Sequence, residues 1–160
     1  MIREKQEEGH GWSAIQFRVR YPECDQMGVV YHANYLNWFE IGRTEMIRES
    51  GFTYRSMEEQ GLLLPVIDVS LKYHKPAKYD DLVTVYTQLT ELSRMRLSFA
   101  YEIRCVAVDQ QEMSRIQGDL LVTGATHHVW LNRDWKPARL DKALPEVYQS
   151  LQSLVADRKE

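Results

Sequence analysis

The chain of 160 residues has little cysteine, no excess of positive charge and no long apolar run. Its two cysteines, Cys24 and Cys105, give neither a disulfide framework nor a zinc spacing. A reducing compartment, most simply the cytoplasm, is the expected location. Twenty Lys and Arg face twenty-three Asp and Glu, for a net charge of −3. That balance argues against a general nucleic-acid binder, while leaving room for a local basic patch toward an anionic small ligand. No run is long enough to span a bilayer, so membrane insertion is not expected. The opening residues, Met1 to Glu8, lack the apolar stretch of a signal peptide. Five histidines are present, but no HxxxH or CxxC spacing accompanies them. His127 and His128 are adjacent, so on a strand they face opposite sides. No metal or other cofactor is expected.

What is present is periodicity. Residues 1–13 read as a loose charged arm. Ile15, Phe17, Val19 and Tyr21 alternate with Gln16, Arg18 and Arg20, the period of a half-buried strand over 14–21. From Ala33 to Ser50 the period becomes helical, with Tyr35, Phe39, Gly42 and Met46 on one stripe and Leu36, Trp38 and Ile47 widening it. A glycine inside a helix costs up to about 1 kcal/mol against alanine, which points to close approach of another backbone at Gly42. A short helix over 54–60 follows. Strands are then expected over 67–73, 82–92, 97–105 and 115–131, the last bent or bulged at Gly118 and Gly124. Pro145 opens a final helix within the segment 136–160. One long apolar helix and a bent antiparallel sheet imply a single α+β domain over about 14–135.

At the joint between first strand and long helix stands "YPECDQMGVVYHANYLNWFEIGRTEMI", and about forty residues later "KYHKPAKYDDLV". These stretches resemble the hotdog-fold acyl-CoA thioesterases. The likeness is closest to the 4-hydroxybenzoyl-CoA thioesterase group, and within it to short-chain enzymes associated with bacterial Tol-Pal clusters. It spans roughly residues 14–135. The resemblance implies a hotdog fold, a central helix wrapped by about five strands, and protomers that pair edge to edge, a homodimer at minimum and a homotetramer in the fuller form. It implies an acyl-CoA substrate, coenzyme A entering as part of that substrate. The family's catalytic aspartate falls on Asp25, with Tyr21 four residues before it and His32 seven after. Its carbonyl-polarising amide falls at or near His32. Cys24 stands where relatives often have Thr, and Glu23 where many have Asp.

The chemistry fits those residue types. Water attacking a thioester carbonyl creates an oxyanion, so a nucleophile or its activator and donors aimed at the oxygen are both required. A helix start supplies unpaired N–H groups and a positive dipole end. Asp25 can act as general base to water, or attack the carbonyl and form a mixed anhydride. Gly28 permits a sharp turn and close approach to a ligand. Tyr31, with Gly28, is assigned to substrate binding, and Lys72, Lys75 and Lys78 to the coenzyme A phosphates.

Each residue also has a plainer role. An aspartate before a helix is ordinarily a cap or turn former. Tyr21 can be sheet packing, the lysines edge-strand protection, and Cys24 a small buried hydrophobe. Glu40 is a rival base from the helix, against an ion pair of Glu40 or Glu45 with Arg43 or Arg48. Two other functions remain on the same fold: a non-hydrolytic acyl-thioester binding module, and a dehydratase or hydratase that pairs histidine with a helix carboxylate.

Overall fold

The computed structural model describes residues 2–3, 11–107 and 116–155. Among the described residues, six strands form one antiparallel sheet in the order β1-β2-β4-β5-β6-β3. They are β1 (Ile2–Arg3), β2 (Ser13–Arg18), β3 (Val66–Tyr73), β4 (Leu82–Leu92), β5 (Arg96–Val106) and β6 (Asp119–Val129). β1, inside the expected arm, pairs with β2 through Ile2↔Gln16. The turn expected over 109–112 and the start of the last strand at Arg115 lie outside the described residues.

The strands form where β-branched and aromatic residues alternate. In β5, Leu97, Phe99, Tyr101 and Ile103 are fully or almost fully buried. β2 stops earlier than its alternation suggests. Pro22 lacks an N–H for the ladder, and the Glu23 N–H turns back to the Arg20 carbonyl at 3.0 Å. Tyr21 therefore starts a 3₁₀ turn, Tyr21–Glu23, instead of ending a strand.

Helix α1 (Asn34–Glu49) packs on the sheet. Trp38 and Phe39 are fully buried, and the Phe39 ring stacks on Tyr101 of β5 at 4.2 Å. Leu36, expected on the buried stripe, is exposed. Gly42 does permit a close approach, but side chains make it. A Cβ there would lie 2.9 Å from Val85 Cγ1 and closer still to Thr87 Oγ1, both on β4.

The expected bulges at Gly118 and Gly124 are displaced. Gly124 stays in register opposite Tyr101 and Leu71. It is glycine because a Cβ would sit 2.6 Å from the Phe39 ring. The register shift comes between Ile103↔Val122 and Arg104↔Leu120, leaving Leu121 without a partner on β5. The Leu121 carbonyl instead accepts N–H bonds from His74 at 2.8 Å and Lys75 at 3.1 Å, which steers the chain as it leaves β3.

Among the described residues, three shorter helices follow α1: α2 (Tyr54–Glu59), α3 (Leu140–Ala143) and α4 (Pro145–Gln152). Leu140, Val147 and Leu151 join the same hydrophobic core as the sheet and α1. No described helix is long and apolar enough to cross a membrane.

Candidate active site

A cavity of about 240 Å³ opens between the turn that precedes α1, the start of α1 and the end of β3. Asp25, Met27 and Val29 line one side, His32 and Tyr35 another, and Tyr73, His74, Lys75 and Pro76 close it. The turn that holds Asp25 is tightly specified. Its N–H donates to the Val29 carbonyl at 2.9 Å, and its carbonyl accepts from Gly28 N–H at 3.0 Å. Its Oδ1 accepts from Met27 N–H at 2.9 Å, so the plain turn-forming role is real. The other carboxylate oxygen makes no hydrogen bond to a described residue. Gly28 sits at φ +79°, in the left-handed region that this turn requires.

At the helix start, neither His32 N–H nor Ala33 N–H donates to another described residue. The His32 carbonyl accepts the Tyr73 hydroxyl at 2.8 Å. The Tyr35 hydroxyl accepts from Ala77 N–H at 3.0 Å, and burial raises its pKa above the ordinary phenol value. Val30 N–H bonds the Ala77 carbonyl at 2.9 Å. The "KYHKPA" stretch is thus tied to the aspartate turn by backbone and side chain together.

Of the residues singled out from sequence, Asp25, His32 and Lys75 line this cavity. Tyr21 does not. It is 78 % exposed, outside the strand, with its ring edge-on to Tyr79 at 5.7 Å. Tyr31 is exposed beside the His32 ring, 4.3 Å between centroids, and is not part of the lining. Lys72 and Lys78 are exposed and stand away from the wall. Lys75 pairs loosely with Asp119 at 3.7 Å, both side chains largely solvated. Sequence reasoning misses Tyr73, His74, Tyr35 and Pro76 as wall residues. Their one signal is the position of "KYHKP" at the end of an alternating strand.

Glu40 belongs elsewhere. With Arg43, Tyr54 and Trp130 it lines a separate cavity of about 420 Å³. Glu45, not Glu40, makes the expected helix ion pair, with Arg48 at 3.4 Å. Neither glutamate lines the cavity that His32 lines. Both cysteines are free thiols. Among the described residues, no three His, Cys, Asp or Glu side chains are grouped to hold a metal ion.

A carboxylate beside unpaired amides at a helix start is a geometry suited to acyl transfer. The family model described as "Thioesterase superfamily" matches residues 27–109. The chain belongs to the thioesterase superfamily and is an enzyme that hydrolyses thioesters. It is 36 % identical over 135 residues to the YneP protein of Bacillus subtilis strain 168, whose name carries acyl-CoA thioesterase as a provisional assignment. That match covers 84 % of this chain and 91 % of the relative. It is 34 % identical over 125 residues to the acyl-CoA thioesterase YbgC of Haemophilus influenzae, covering 70 % and 92 %. Among solved structures, the DHNA-CoA thioesterase of Staphylococcus aureus superposes with a TM-score of 0.77 at 37 % identity, covering 89 % and 92 %. The architecture is accordingly the hotdog thioesterase fold.

Proposed function

We propose that this protein cleaves acyl-coenzyme A thioesters to free acid and coenzyme A, with Asp25 carrying the chemistry. The supporting observation is that Asp25 and His32, whose N–H at the start of α1 donates to no other described residue, line one cavity. The thioester carbonyl oxygen takes the His32 N–H. As the carbonyl carbon becomes tetrahedral, that donor and the dipole end of α1 hold the developing charge, a contribution of about 3 kcal/mol per donor in comparable sites. Asp25 either takes the proton of the attacking water or attacks as the nucleophile itself. In both cases the C–S bond breaks, the sulfur leaves as thiolate and is protonated, and water supplies the new carboxylate oxygen. General-base assistance of this kind is worth roughly 10²–10⁴-fold. Lys75, at the cavity wall, meets the phosphate-bearing part of coenzyme A.

The working unit is a dimer. β3 is the sheet's edge, and Val66, Ile67, Val69 and Tyr73 along it are exposed. A second copy of β3 covers this apolar edge and closes the open side of the cavity.

Asp25→Asn tests the reading. It keeps the Oδ1 contact to Met27 and removes the charge. Loss of thioester absorbance should slow by about 10³-fold or more in a protein that still folds. Near-normal turnover would overturn the assignment.

A further inference from the structure

We infer that Glu23 is a positioning residue for the Asp25 carboxylate, holding the catalytic turn through a tether to the buried indole of Trp38; this rests on the hydrolase reading above. The Glu23 side chain is only 12 % exposed. One carboxylate oxygen, Oε2, accepts Trp38 Nε1–H at 2.7 Å. The other, Oε1, accepts Arg20 N–H at 2.8 Å and lies 3.4 Å from Arg20 Nε. The Glu23 backbone carbonyl accepts twice more, from Tyr31 N–H at 2.9 Å and from Asn34 Nδ2–H at 2.8 Å.

These bonds reach three segments: the chain leaving β2 at Arg20, the far end of the turn at Tyr31, and the first two turns of α1 at Asn34 and Trp38. Cys24 bridges Val30 immediately inside them. Residue 23 therefore closes the base of the loop from which Asp25 projects, and it fixes that loop to the same helix whose start supplies the His32 amide. Trp38 is fully buried in the core, so the anchor does not move with the surface. Both contacts to the indole and the Arg20 amide are charge-assisted and short. The distance between carboxylate and amide is the quantity that catalysis requires, and a displacement near 1 Å can cost about 10²-fold.

Both carboxylate oxygens act as acceptors, and this sets the test. Glu23→Gln has the same reach but only one acceptor, so one N–H is left facing an amide NH₂. Its kcat should fall between about 10-fold and 10²-fold, with KM within about twofold, in a protein that melts cooperatively. Glu23→Asp keeps the charge but is one methylene short of Trp38, and it should not restore kcat. The same Glu23→Gln change placed in the Asp25→Asn protein should lower the residual rate no further, because there is no carboxylate left to position. Trp38→Phe removes only the indole end of the tether; it gives the parallel experiment should Glu23→Gln not fold, with a smaller kcat loss and the same absence of effect in the Asp25→Asn background.

An unchanged kcat in Glu23→Gln, with Asp25→Asn inactive, overturns the positioning role alone. So does an equal fold-loss with and without the Asp25 carboxylate, which would mark a merely structural effect. Wild-type turnover by Asp25→Asn overturns the assignment of the chemistry to Asp25 and this role together.

Discussion

The hydroxyl of Tyr73, the last residue of β3, donates a 2.8 Å hydrogen bond to the carbonyl of His32, at the threshold of α1. The edge strand thereby grips the peptide next to the His32 N–H, the donor proposed for the thioester carbonyl. Tyr73→Phe keeps the ring contact with Tyr35, 5.6 Å between centroids. It should lower kcat about 10-fold with little change in KM, read from steady-state hydrolysis of one acyl-CoA.

Acid should weaken the fold through His128. The residue is 1 % exposed, with Nε2 2.8 Å from Thr126 Oγ1. Burial, and then the nearby Arg43 charge, lower its pKa to about 4 from an ordinary 6.5. Between those values the unfolded chain binds more protons than the folded one, so stability declines as pH drops from about 6.5 to about 4 and levels off below. The full effect is on the order of 3 kcal/mol. Urea denaturation at pH 7 and pH 5 should show the decline, and His128→Gln should flatten it.

Gly42→Ala should destabilise by about 1–3 kcal/mol, despite alanine's better helix propensity. The added methyl meets Val85 and Thr87 on β4. Thr87 Oγ1 is buried without a hydrogen-bond partner among the described residues, so trimming it sacrifices little. Thr87→Ala combined with Gly42→Ala should recover part of the loss in a thermal melt.

Charge placed on the bare edge should break the proposed dimer. Ile67→Lys with Val69→Lys puts two cations on β3 where both native side chains are exposed. Light scattering should show a smaller particle, and hydrolysis should fall with it, because the cavity wall includes Tyr73 from the same strand.

Much of this was legible from residue order. A Thr-, Val- and Tyr-rich composition located β4 to the residue, and a period-two run located β5 within one position at each end; both lie in the sheet interior. The helical stripe located α1 and its buried Trp38 and Phe39. Pattern failed where backbone geometry decided. Nothing in the alternation through Tyr21 reveals that Pro22 and the Glu23 turn end β2 at Arg18. The bulge at Leu121 has no compositional mark, whereas the glycines beside it do. The acid at the site was legible as Asp25 against Glu40 only by resemblance. Their separation into two cavities is a property of three-dimensional packing. The Tyr73–His32 bond spans 41 residues, beyond the reach of any local rule.

Cys24 is a half-buried free thiol one residue from Asp25, on the loop that Glu23 secures. Disulfide reagents used to titrate released coenzyme A would meet that sulfur as well. A mixed disulfide at Cys24 would place a bulky adduct next to Asp25 in the chain, so turnover followed by such a dye should decay during the assay, and a Cys24→Ser enzyme should hold a steady rate.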